Sequence, residues 1–229
     1  MTTVSKNARI AGLLYILGSA VGIMRLLYIP SKLFVHGNAT ATASNIAVHE
    51  MLFRWGIASQ LAGAVLWLFV VLALYRLLKD VDREMAALMV ILGALMVVPL
   101  FFVNAVNDAA ALMFVRGADY LSVFDKPQRD ALARLFLDLH GQLDSANEVF
   151  WGLWLLPFGL LVYKSRFLPR VLGVWLMLAC FGWLALSFAG FVYPTYEDKV
   201  YTLTQPLTLG EVATMLWLAI VGAREKRVM

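Results

Sequence analysis

The sequence predicts an all-α polytopic membrane bundle, and three observations carry that prediction. Of the 229 residues, 62% are hydrophobic and 15% charged, against about 45–50% and 25% in soluble domains. The mean hydropathy is +0.78, and several apolar runs approach the roughly 20 residues a helix needs to cross a bilayer. Those runs do not alternate as barrel strands would, and backbone groups in lipid are satisfied within helices. An ordinary soluble enzyme is thereby excluded. Seven Trp among 13% aromatic residues suit anchoring at the lipid headgroup levels. The pI of 9.3 needs no nucleic acid to explain it. The lone Cys180 rules out an intrachain disulfide and any CxxC motif. One integral membrane domain over 1–229 is expected, without tandem repeats or low-complexity tracts.

Six transmembrane helices are predicted, at 9–29, 50–78, 85–114, 130–163, 168–193 and 207–223. Lys6 and Arg9 precede the first as in a signal peptide. Its apolar run continues through Val21 to Met24, however, and Ala11, Tyr15, Gly18, Gly22 and Arg25 form a close-packing face that ends in a cation. The alternative for Arg25 is snorkelling to the interface. The second helix follows a small polar loop, with Ser44 or Asn45 as its cap. It carries His49, Phe53, Gly56, Gln60, Gly63 and Trp67 on one stripe, and Glu50 and Arg54 at ion-pair spacing. In the third, Pro99 frees a carbonyl one turn earlier, and Asn104, Asn107 and Asp108 follow. The fourth begins outside the bilayer near Asp125 and Pro127 as an amphipathic stretch. Its Gly141, Ser145, Gly152 and Gly159 make a small-residue seam for a neighbouring helix. The sixth opens after Thr204, Gln205 and Pro206 and buries Glu211, which is expected to pair with Arg25.

Orientation follows from Lys and Arg in the short connections, which are enriched on the cytoplasmic side. One side carries Lys6 and Arg9, then Arg76, Lys79 and Arg83, then Lys164, Arg166 and Arg170, then Arg224, Lys226 and Arg227. The other carries Lys32, then Arg116, Lys126, Arg129 and Arg134, then Lys199. Both termini are therefore expected in the cytoplasm. Only Asp80, Asp82, Glu84 and Glu225 among the acids fall on the inner side, so the outer half is acidic and holds all three His.

Ionisable side chains inside membrane helices avoid lipid and face a bundle interior or a wet cavity. An outward-facing pocket is expected from Arg25, His49, Arg54, Gln60, Asn104, Asn107, Asp108, His140, Asp144, Glu148 and Glu211. His140, Asp144 and Glu148 succeed one another at four-residue spacing on one helix face. That is half a metal site, which His49, Asp108 or Glu211 would complete. Zinc suits the mixed nitrogen and oxygen donors, whereas calcium or magnesium would favour the carboxylates. No HExxH, GxSxG, P-loop or SxxK motif is present.

Three functions remain open. The first is a carrier, sensor or accessory protein that binds a cation, a proton, a small ligand or a lipid headgroup. The second is a metal-assisted hydrolase of a lipid-like amide or ester. There His49, His140 and Asp144 would hold a divalent metal such as zinc, Glu148 or Asp108 would take a proton, and Arg25 would hold an anionic group. The third is a polar network that only fixes helix packing.

The motifs ARIAGLLYIL from Ala8, LFRWGI from Leu52, LHGQLDSANEVFWGL from Leu139, SRFLPRVLGV from Ser165 and GEVATMLWL from Gly210 resemble a family of bacterial multi-pass membrane proteins, domain of unknown function 4386. The family pattern is Leu-His-Gly, then Asp, an aromatic pair with Gly, and Phe-Leu-Pro-Arg-x-Leu-Gly. His140, Gly141, Asp144, Phe150, Gly152, Phe167, Leu168, Pro169, Arg170, Leu172 and Gly173 match it. Trp151 stands where the pattern has a second Phe. The resemblance implies a multi-pass helical fold in a bacterial inner membrane and supplies no activity.

Overall fold

The computed structural model describes residues 3–223. Arg224, Glu225, Lys226 and Arg227, assigned above to the cytoplasmic side, lie outside the described residues. Those described form helices joined by short turns, with no strand among them.

Prolines decide where the helices deviate. Helix α1 (Thr3–Ile23) passes through a π-helical turn, Met24–Tyr28, into α2 (Ile29–Leu33). Pro30 has no N–H for the Leu26 carbonyl and its ring crowds that carbonyl, so the ladder widens there. The same device recurs between α5 (Arg83–Val90) and α6 (Val97–Arg116), where the π turn Ile91–Leu95 precedes Pro99. The expected distortion at Pro99 thus takes the form of a wide turn, closed by Met96 N–H on the Ile91 carbonyl at 3.1 Å.

The first connection is not the loop the sequence suggested. It folds as α3 (Ala39–Val48), capped by Asn38, whose side chain accepts the Ala41 N–H at 2.9 Å. Ser44 and Asn45 therefore cap nothing, and Asn45 donates instead to the Leu33 carbonyl at 3.2 Å. Helix α4 (Glu50–Leu78) has the expected bounds.

Helix α7 (Lys126–Leu153) opens on a reciprocal box. Asp125 accepts the Gln128 N–H at 2.8 Å, and Gln128 accepts the Asp125 N–H at 2.9 Å. The helix expected to reach 163 breaks at Trp154 and resumes as α8 (Leu155–Ser165). Pro157 leaves the Leu153 carbonyl without its donor, which explains the break. Arg166, at φ 60°, turns the chain toward α9 (Arg170–Val192).

The last helix departs furthest from expectation. Helix α10 (Glu197–Ile220) begins well before 207 and contains Pro206 in its interior. Glu197 and Asp198 occupy its first turn, where the helix dipole favours acids. Side chains serve the backbone around the proline: Thr204 Oγ1 donates to the Val200 carbonyl at 2.9 Å, and Trp175 Nε1 to the Pro206 carbonyl at 2.9 Å.

Among the described residues, five helical stretches are long and apolar enough to cross a membrane: Thr3–Leu33, Glu50–Leu78, Arg83–Arg116, Lys126–Ser165 and Arg170–Val192. The predicted sixth span, 207–223, falls mostly in the second half of α10, whose first half is rich in Glu, Asp, Lys, Thr and Gln.

The chain packs as two compact units. The first comprises the chain up to Gly18, Val65–Pro99 and the chain from Ser145 onward. Its core gathers Tyr15, Leu74, Met89, Trp154, Phe158, Leu176 and Leu218. Of the seam predicted on the fourth helix, Gly152 and Gly159 are used here, whereas Gly141 meets open space. A Cβ at Gly159 would stand 2.6 Å from the Gly173 carbonyl oxygen, and one at Gly173 equally close to that of Gly159. Only glycine permits this approach of α8 and α9. The second unit comprises Ser19–Ala64 and Leu100–Asp144. Its core gathers Ile29, Leu33, Ile46, Phe53, Ala111, Leu112, Ala133 and Leu137.

Candidate functional site

The second unit holds a buried ionic centre built from three helical segments. Arg25 projects from the π turn after α1 and is 3% exposed. Its Nε donates to Asp108 Oδ2 and its Nη2 to Asp108 Oδ1, each at 2.7 Å. Asp108 on α6 is fully buried. This is a bidentate guanidinium–carboxylate pair, the geometry in which arginine binds a carboxylate most specifically. The guanidinium carbon also lies 5.7 Å from the centre of the Phe34 ring.

His140 on α7 joins the pair. Its Nδ1 lies 3.0 Å from Asp108 Oδ1 and 3.1 Å from Arg25 Nη2. Its Nε2 faces Asp144 Oδ2 at 3.3 Å. Asp144, one turn along α7, is the least buried acid of the group, with its side chain 19% exposed. Asn104, one turn before Asp108 on α6, donates to Asp144 Oδ1 at 2.7 Å and to the His140 carbonyl at 3.3 Å. Asn107 donates to Asn104 Oδ1 at 3.4 Å. Two four-residue spacings, Asn104 with Asp108 and His140 with Asp144, therefore interlock around one imidazole. An imidazolium donates from both ring nitrogens and serves both carboxylates, whereas a neutral ring donates to only one.

Among the other expected pocket residues, His49 and Arg54 lie outside this network. Glu50 and Arg54 form the predicted local ion pair at 2.7 Å on the exposed surface, and Arg116 comes within 3.8 Å of Glu50. Such exposed pairs contribute little. Gln60 and Glu148 are half-buried on α4 and α7. His49 is exposed and serves as the C-cap of α3.

Two expectations need correction. Glu211 does not pair with Arg25: it accepts the Tyr15 hydroxyl, while Asp108 takes both arms of the arginine. The metal set His49, His140 and Asp144 is not assembled either. Both nitrogens of His140 already face carboxylates, and among the described residues no group of three or more His, Cys, Asp or Glu side chains is arranged to hold a metal ion.

The sequence reading placed Tyr15 on a packing face and overlooked its polar role. The available signal was a hydroxyl on the same small-residue stripe that delivers Arg25.

Fold and site together define a multi-pass helical membrane protein with a buried ionic centre. The chain belongs to the family described as domain of unknown function 4386, whose model matches residues 10–222. An uncharacterized protein of Archaeoglobus fulgidus is 33% identical over 84 residues, which is 35% of this chain and 47% of that relative. The chain thus matches about half the length of this archaeal relative. No solved structure matches the chain.

Proposed function

We propose that this protein is a carrier or sensor of a bacterial inner membrane whose ligand is the smallest cation, a proton, bound at His140. It crosses the bilayer six times, α10 included, with both termini in the cytoplasm and the acidic half outside. The observation that carries this reading is the position of the imidazole between two carboxylates of unequal exposure. Asp108 is fully buried and locked to Arg25, whereas Asp144 is partly exposed. A proton entering from Asp144 meets His140 before it meets the Arg25–Asp108 pair, which is the order a relay or sensor requires.

The test uses the protein's three His. Nitrogen NMR of the ¹⁵N-histidine-labelled full chain in lipid follows each ring through a pH titration, with His140→Gln to assign its signal. The His140 ring should change charge reversibly, and Asp144→Asn should move the pH at which it does so. A ring whose protonation state never changes over the range in which the protein stays folded would end the proposal and leave a packing network. A reporter fused after Met229 tests the orientation, and activity in a periplasmic reporter would overturn it. The hydrolase reading lacks its second histidine at the centre, since His49 caps α3 on the exposed surface.

A further inference from the structure

The first unit contains a half-buried acid that the ionic centre does not use. Glu211 lies about 21 Å along α10 from its start, deep within the helix Glu197–Ile220. Its carboxylate accepts the hydroxyl of Tyr15 on α1. Tyr15 is 2% exposed. The indole of Trp183 on α9 lies beside the same carboxyl, and its buried N–H has no hydrogen-bond partner. Both neighbours are neutral donors. Among the described residues, no Lys, Arg or His forms an ion pair with Glu211.

The surroundings fix the phenol in place. Trp67 meets the Tyr15 ring edge-on at 5.3 Å, Trp154 lies 6.1 Å from it, and the two indoles meet each other at 5.3 Å. Trp67 is itself anchored, since its Nε1 donates to the Gly93 carbonyl at 2.7 Å. The Tyr15 hydroxyl thus stays at the carboxyl whether that group is charged or neutral. An ionised acid in a helix bundle without a cation is costly, and taking up a proton removes the charge. A metal ion would need further ligands, and no group of three or more candidate side chains is present among the described residues. A proton needs neither extra ligands nor a cavity.

We propose that Glu211, held by Tyr15 and flanked by Trp183, is a proton-binding site of the first unit, independent of His140. The proton comes from water, and the carboxylate becomes a carboxylic acid with no other bond made or broken. The acid O–H then donates to the phenol oxygen, or the phenol continues to donate to the carbonyl oxygen, so one hydrogen bond persists in both states. Tyr15 is the titratable group facing Glu211. Other charged groups on the helices that carry its neighbours are remote along the chain: Arg9 lies about 9 Å before Tyr15 on α1, and Arg170 about 20 Å before Trp183 on α9.

Infrared difference spectroscopy of the full chain in lipid tests this directly. Between about pH 4 and 10, acidification should produce the carbonyl band of a protonated buried carboxylic acid. The band should be lost in Glu211→Gln, displaced in Tyr15→Phe, and retained in His140→Gln, which separates this site from the proposed function. A spectrum identical in wild type and a folded Glu211→Gln would overturn the proposal. Should Glu211→Gln fail to fold, a band unmoved by Tyr15→Phe would overturn it equally.

Discussion

Two acids, the fully buried Asp108 and the half-buried Glu211, occupy the middles of helices in different units, and their partners differ in kind. Asp108 meets a guanidinium with both oxygens. Glu211 meets a phenol and an indole. A cationic partner fixes the charge of a buried acid, because neutralising the acid would strand the cation. Neutral donors impose no such condition, so a carboxyl group becomes a lock in one place and a switch in the other.

The comparison breaks most readily at the lock. Arg25→Met leaves Asp108 without its guanidinium and with His140 alone, and should cost about 3 kcal/mol of stability in detergent unfolding, with Arg25→Met/Asp108→Leu recovering most of the loss. A single-variant cost below about 1 kcal/mol would mean that the pair locks nothing. Next in size is the packing of the first unit. Gly173→Ala drives a methyl into the Gly159 carbonyl and should cost about 1–3 kcal/mol, read as a lowered Tm. Glu211→Gln should cost less than about 1 kcal/mol, because the amide oxygen still accepts the Tyr15 hydroxyl. A large loss there would make Glu211 a lock as well.

The smallest expected effect lies outside the spans, at Asp82. Its carboxylate caps α5 by accepting the Met85 N–H at 3.1 Å and pairs with Lys164 at 3.0 Å. Those two contacts, the backbone one foremost, hold its pKa below the usual carboxylate value. A lowered folded-state pKa adds stability that is complete above the unfolded value of about 4 and disappears as pH falls through the folded value. Asp82→Asn should therefore lower stability slightly at neutral pH and leave it almost unchanged at low pH, which flattens the acid limb of the stability–pH curve.

Much of this was legible in residue spacing. The four-residue intervals of Asn104 with Asp108 and His140 with Asp144 place polar groups on one face of each helix, and Pro99 marks its distortion. Partner choice was not legible, because spacing along a helix says nothing about which helices meet, and Arg25 was expected to meet Glu211 where it meets Asp108. The proline at 206 was misread for a related reason. Proline favours a helix start, yet Pro206 sits in the interior of α10. Asn38 was passed over as a cap because the small polar residues after it read as loop, yet Ala, Thr and Ser hold a helix once its first turn is capped.

The wide turn at Met24–Tyr28 is best understood as a matter of phase. A regular helix advances about 100° per residue, so one surplus residue swings everything beyond it by that angle. Helix α2 places Ile29 and Leu33, both fully buried, in the core of the second unit, and this phase already includes the surplus. Removing Leu26 would restore a regular ladder while turning Ile29 and Leu33 away from that core. Arg25 and α2 thus face their partners at the same time only because the chain is one residue longer here than an unbroken helix would need.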